Sequence, residues 1–493
     1  MTEDDTPLRG RWIAMAALLV AGFMNLIDVT IVNVAIPSLQ AAFDATDSQI
    51  EWVVAAYILS FALFLLPAGR LGDVVGRRRM FVIGVVVFTI ASALCGLSPG
   101  IGSLVAARVL QGIGGAMMTP QTLALVPALF PPRERGAAFA LFGLSAGLAS
   151  VTGPVLGGFL IGADIMGLDW RPIFLVNIPV GVIAVAGAMR YVPKIPGDKA
   201  LRLDLVGMAL AGTGLMLLLF PLIEGRQLGW PVWIFAMMGV SVPVGLGFVL
   251  WQWRQAARGA PQLIPASLLA NGDYVTGSVL ATLLFAGIPG FFLVFAIFLQ
   301  IGNGLTPLES GVTTMPFSLG VLGASILSGR LGTRWPRQRI TAGAVLLVIG
   351  MTALRMVLPE EGGALSRTAF ILPLGLAGLG LGTAVSPLFQ TVLANVADRD
   401  TGAGSGALQS FQQVGGALGV AVMGQLFFGL LRGGGGYPDA MTAALWFNAA
   451  AFLAVALLVW RLPEPRLVPE IRPGRGAATD PSPPRRSDQS VSW

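Results

Sequence analysis

From Trp12 onward the chain runs apolar for about twenty residues, breaks at a few polar or helix-disrupting residues, and runs apolar again. About twenty such residues, rising 1.5 Å each as a helix, cross the roughly 30 Å hydrocarbon core of a bilayer. Repetition of that unit along 493 residues leaves too much apolar length for one soluble core. Only 11% of residues are charged, against about a quarter in a soluble domain. The reading is an all-α membrane protein. Glycine, proline and charge punctuation divides it into fourteen candidate transmembrane helices, with cores at 12–35, 50–71, 79–98, 101–126, 136–162, 171–192, 203–223, 230–251, 274–301, 307–331, 340–358, 368–395, 402–431 and 440–461.

The charges orient these spans. If both termini are cytoplasmic, 25 of the 31 Lys and Arg fall on the cytoplasmic side. Five, Arg171, Arg226, Arg355, Arg367 and Arg432, fall on the other, and Arg108 lies within a span. That asymmetry follows the positive-inside rule and requires an even number of spans. It also accounts for the net charge of +6 without nucleic acid as a partner. Arg outnumbers Lys 29 to 2, which reads as a GC-rich bacterial coding bias. The first apolar stretch follows a charged start (Met1–Arg11) and exceeds signal-peptide length with no small-residue cleavage site, so it is expected to stay as the first span. The segment 463–493, rich in Pro, Gly, Ser and charge, is expected to be a disordered cytoplasmic tail.

Several chemistries are excluded. Histidine is absent, which removes the commonest general base and imidazole metal ligands. Cys95 is the single cysteine, so the chain holds no disulfide and no thiolate metal cluster. No GxxxxGK[ST] phosphate loop occurs, which argues against a built-in ATP motor. No enzyme, metal or cofactor is expected.

The string GRLGDVVGRRR (69–79) shares its first four letters with GRLGTRWPRQR (329–339), 260 residues on. Each copy ends one span and precedes another, which predicts two related halves with a substrate site near the midplane between them. The organisation is six spans (12–192), an extra pair (203–251) and six more (274–461) after the N-terminal segment 1–11.

The first copy resembles the loop motif between helices 2 and 3 of the major facilitator superfamily, with Gly69, Leu71, Asp73, Gly76, Arg77 and Arg78 in place. RVLQGIGGAMMTP (108–120) is similar to the superfamily's helix 4 motif at Arg108, Gln111, Gly112 and Gly114. ASVTGPVLGG (149–158) resembles its helix 5 exporter motif at Gly153, Pro154, Gly157 and Gly158, with Ala149 in place of the first glycine. IDVTIVNVAIP (27–37), WRPIFLVNIP (170–179) and LQSFQQVGGALGVAVMG (408–424) look like the fourteen-helix drug:proton antiporters within that superfamily. The resemblance implies a 6 + 2 + 6 two-half bundle and places the 69–79 string as a gating loop. The second copy departs from the pattern, with Thr333 replacing the acid and Pro336 the glycine.

Proton coupling needs a titratable group reached alternately from both sides. Asp28 is the one carboxylate deep in a predicted span, roughly 14 Å from Pro37 at the outer end. Arg108 lies roughly 10 Å into span 4. A contact between them, direct or through water, is expected. Burial disfavours the carboxylate charge and the guanidinium favours it, two opposed effects that would let the pair exchange a proton. A static packing role for Asp28 stays open at this point. Glu309 and Glu224 are secondary acids, equally readable as a helix-start charge and as a surface partner of Arg226. Candidates for the cavity wall are Asn25, Asn33, Gln111, Phe291, Phe292, Gln300, Gln390, Gln409 and Gln412, amides and apolar bulk that suit amphipathic organic molecules.

The function expected is proton-coupled export of drug-like or antibiotic compounds across a bacterial plasma membrane, by a monomer working through alternating access. A dedicated transporter of one metabolite, lipid or siderophore is the alternative.

Overall fold

The structure is a computed structural model that describes residues 10–462 apart from 199–200, 226–227, 333, 360–362, 364 and 395; the side chains of some further residues, including Asn33, Glu51, Pro154, Gly329, Arg330 and Asp398, are also outside the description. Thr333 and the tail from Pro463 therefore lie outside the described residues, as does Arg226.

The described chain is helical almost throughout: α1 (Arg11–Phe43), α2 (Asp47–Val75), α3 (Arg77–Gly96), α4 (Ile101–Leu129), α5 (Pro132–Gly162), α6 (Pro172–Tyr191), α7 (Leu205–Glu224), α8 (Val232–Ala257), α9 (Gly272–Gly302), α10 (Pro307–Leu331), α11 (Pro336–Met356), α12 (Ile371–Ala394), α13 (Thr401–Arg432) and α14 (Tyr437–Leu458). Thirteen helices among the described residues are long and apolar enough to cross a membrane. The expected span 136–162 falls within the 31-residue α5, which is not one of the thirteen and has several side chains outside the description.

Local chemistry sets the limits. Thr46 and Thr306 each cap the following helix reciprocally with the residue three on, Gln49 and Glu309. Pro132, Pro307 and Pro336 occupy first-turn positions where the missing N–H is no loss. α6 is interrupted at Val176. α9 breaks before Pro289 and ends in a π-turn, Phe298–Gly302. Two readings of the sequence are corrected here. α1 continues past Pro37 to Phe43, so Asp28 sits near the middle of the helix and not a few turns from its end. The 69–79 string is no loop: α2 runs through Asp73 to Val75, and Gly76 alone, at φ 104°, makes the turn into α3.

In the first group of helices α1 packs on α5 and α6, and α4 lies against α2 and α3; in the second, α12 packs on α10 and α11, and α13 on α9 and α14. The groups meet along two lines, α2 on α13 and α5 on α10. α7 and α8 form a pair of their own, attached where α7 touches α2 and α13. Asp204 starts α7 and fixes the pair, accepting hydrogen bonds from Gly207 N (2.8 Å), Trp251 Nε1 (3.0 Å) and Gln252 Nε2 (2.8 Å). α8 leaves Val242, Leu246 and Leu250 each 61% exposed, the dry outer face that lipid requires.

Candidate functional site

Two polar clusters stand out against this background. The first is built on the midpoint of α1. Asp28 forms an ion pair with Arg108 of α4, and the two residues are 0% and 1% exposed. Gln111, one turn on from Arg108, donates Nε2 to Asp28 Oδ1 at 2.7 Å and accepts from Arg108 Nη1 at 2.8 Å. Asn177, just after the interruption of α6, donates Nδ2 to the same carboxylate oxygen at 3.3 Å. Ser92 of α3 accepts from both amides, at 3.2 and 2.9 Å, and donates to Phe174 O at 2.9 Å. Arg108 Nε donates to Val53 O of α2 at 3.0 Å, and its guanidinium lies 4.3 Å from the ring centre of Tyr57. Tyr57 in turn accepts from Asn25 Nδ2 at 2.6 Å.

Five helices thus join one network, in which α4 and α6 contact the carboxylate of α1 and α2 and α3 hold their side chains. The sequence singled out Asp28, Arg108, Gln111 and Asn25, and the structure brings all four together. Ser92, Tyr57 and Asn177 were not singled out. Only Asn177 carried a signal, as the asparagine of the quoted string 170–179. One turn beyond Asp28, the exporter-like stretch of α5 packs on α1: a side chain at Gly153 would meet Thr30, and one at Gly157 would meet Ile31. Gly158 faces open space, and Pro154 lies outside the described side chains.

The second cluster joins the two groups of helices at the end where the arginines gather. Asp73, with a fully buried side chain, accepts from the backbone N–H of Gly402 and of Ala403, each at 2.9 Å. It thereby caps the N-terminus of α13, where unpaired N–H groups and the helix dipole favour an anion. Arg77 holds the same carboxylate at 3.3 Å, and Arg70 reaches across to Asp400 at 2.7 Å. Arg78 donates to Val192 O at 3.0 Å. Gly69 makes the approach possible, since its Cβ would meet the carbonyl carbon of Gly402 at 3.1 Å. Further hydrogen bonds at this end run from Ser405 to Pro120 O (3.0 Å) and from Ser386 to Gly136 O (3.2 Å).

The remaining candidates divide. Gln409 is 5% exposed and, with Gln412, carries a buried Nε2 without a partner. Both lie on α13, a turn or two beyond Ser405, on the side that faces α4. Gln390 donates to Ser386 at 3.0 Å, and Gln300 is half-buried in the π-turn of α9. Phe291 is fully buried in an aromatic stack with Phe295 (5.2 Å) and edge-on to Phe292 (5.3 Å), so it faces no open space in this conformation. Asn33 lies outside the described side chains. Glu309 sits in its capping box and meets Arg367 at 3.3 Å, both about half exposed. Glu224 is not a surface acid but is 5% exposed at the end of α7.

The family model of the Major Facilitator Superfamily matches residues 18–420. The chain belongs to that superfamily. Within it, the chain is 42% identical over 426 residues to a "Probable actinorhodin transporter" of Streptomyces coelicolor, covering 86% of this chain and 74% of the relative. It is 34% identical over 409 residues to "Multidrug resistance protein Stp" of Mycobacterium tuberculosis, covering 82% and 73%. The superfamily fold is also that of the solved proton:xylose symporter XylE, which superposes with a TM-score of 0.66 at 15% identity over 92% of this chain and 96% of that one.

Proposed function

We propose that this protein is a proton-driven exporter of amphipathic organic compounds, drugs or antibiotics, in a bacterial plasma membrane. Both termini face the cytoplasm, and no cofactor beyond the proton gradient is used. Two six-helix bundles, 12–192 and 274–461, alternate access around a site between them, with 203–251 as an added pair. Relatives named for antibiotic transport and multidrug resistance support export as the direction. The arginine bias supports a cytoplasmic side for the joined end, so this conformation is read as the one closed toward the cytoplasm.

The observation that carries the coupling is the closed hydrogen-bonding of Asp28. Protonating it here would strand Arg108, 1% exposed, with only Gln111 Oε1 and Val53 O as neutral acceptors. Removing one partner of a buried pair costs about 3–5 kcal/mol. Protonation and this packing therefore exclude each other, and a proton taken up from outside forces the first bundle to rearrange. Release of that proton on the inner side restores the pair and resets the carrier. Asp73, Arg70 and Arg77 act as the inner latch, and the unpaired amides of Gln409 and Gln412 offer neutral donors to a substrate between the halves.

Everted vesicles test this with a compound panel, with and without an uncoupler. Asp28→Asn is expected to fold and to lose all uphill efflux; uphill efflux that persists in this variant refutes the coupling role. A narrower reading, export of one natural product, is favoured by the 42% identity to a transporter named for a single compound. One responding compound in the panel would select it.

A further inference from the structure

The two copies of the GRLG string treat their arginines differently. In the first, Asp73 neutralises Arg77. In the second the acid is replaced by Thr333, and the buried arginine is not the counterpart of Arg77, which is Arg337, but that of the exposed Arg79: Arg339 of α11 is 5% exposed. Its Nη atoms donate only to neutral oxygens, Gly332 O at 2.7 Å, Arg334 O at 3.5 Å, Ser328 O at 3.2 Å and the Ser328 hydroxyl, and its buried Nε has no partner. No carboxylate among the described residues reaches it. A buried guanidinium with neutral acceptors alone still lacks a counter-charge.

Arg339 lines a cavity of about 410 Å³ between α11 and α12, together with Trp335, Gln338, Ala342 and Thr383. Trp335 is 60% exposed and stands in the left-handed region at φ 50°; exposed tryptophans are enriched at membrane interfaces. From this cavity exposed apolar side chains continue toward the middle of the bundle: Val345 (41%) and Ile349 (48%) in a row on α11, and Leu379 (37%) on α12, one turn from Thr383. The stretch 338–349 rises roughly 16 Å, about the thickness of one leaflet's hydrocarbon.

We propose that this groove binds an anionic phospholipid. The phosphate supplies the missing charge at Arg339, Gln338 and Thr383 offer hydrogen bonds to the headgroup, Trp335 packs on the glycerol region, and the acyl chains lie along Val345, Ile349 and Leu379. Lipid, not free phosphate, is the occupant, because exposed apolar side chains continue from the cavity where a soluble anion has no use for them.

The test uses the full chain in phosphatidylcholine vesicles containing phosphatidylglycerol, with bromine on the acyl chains of one lipid or the other at equal mole fraction. The Trp335 signal is the difference between the protein and its Trp335→Phe variant. Brominated phosphatidylglycerol is expected to quench this signal about fivefold more effectively than brominated phosphatidylcholine, the preference given by one basic residue at a membrane surface. Arg339→Gln is expected to erase the preference. Because Arg339 also holds Ser328 and Gly332, Gln338→Glu provides a second variant at an exposed position, which repels the headgroup with Arg339 intact. Equal quenching by the two lipids overturns the proposal, as does a preference unchanged in both variants.

Discussion

Replacing Asp73 by Asn should loosen the joint between the halves by an amount the geometry allows to be worked out. The carboxylate accepts two backbone N–H groups at the start of α13 and one guanidinium, with no exposure to solvent. Hydrogen bonds to charged groups contribute about 1.5–3 kcal/mol each, and an anion at a helix N-terminus adds about 0.3–1 kcal/mol. Asparagine keeps one acceptor oxygen but turns an NH₂ group toward the second backbone N–H, so one bond is lost outright and the other loses its charge. A net loss of about 3 kcal/mol follows, which shifts the balance between the joined and separated arrangements of this end roughly a hundredfold. Spin labels at Arg79→Cys and Arg399→Cys report it; both positions are exposed and flank the latch, and the native Cys95 is buried. Pulsed dipolar spectroscopy should give one short-distance population in the parent protein and a dominant longer one in Asp73→Asn. Thr333→Ala, made alongside, should leave the distribution alone. A distance distribution that Asp73→Asn does not change would refute the latch.

The other expectations concern the buried polar clusters. Arg108→Lys replaces a fork that serves Val53, Asp28 and Gln111 at once by a single ammonium; uphill efflux should fall at least about tenfold, since a tenfold loss needs only about 1.4 kcal/mol, and equal efflux by the two proteins would count against the geometry described. Asp204→Ala strips the cap of α7 and leaves the donors of Trp251 and Gln252 unanswered, a loss of about 3 kcal/mol or more. Asp204→Asn should cost less, and the order of their thermal unfolding midpoints checks it.

Charge was what made the site legible in the sequence. An aspartate and an arginine inside apolar runs are conspicuous, because nothing but function or pairing keeps them there. Ser92, Asn177 and Tyr57 complete the same network but are ordinary in composition, and only the folded chain shows that they gather around one carboxylate and its partners. The end of α1 was misplaced for a related reason: Pro37 reads as a helix end, yet α1 passes through it to Phe43. Glycine and charge made residues 69–79 read as a loop, whereas the structure needs only Gly76 for the turn. Asp204 and Glu224 went unweighed or were placed at the surface because they stand at helix ends in the sequence; burial there comes from α8 and from the close of α7, which no local pattern reports.

The crossing of α2 and α13 joins two glycines backbone to backbone. Contacts of that kind contain no side chain that mutation could tune, only bulk that it could add. The amides of Gln409 and Gln412, proposed above to meet the substrate, are in contrast side chains that can be exchanged one at a time. Cargo and closure are therefore separable in evolution: a lineage can acquire a new compound to expel while the motion that expels it stays as it was.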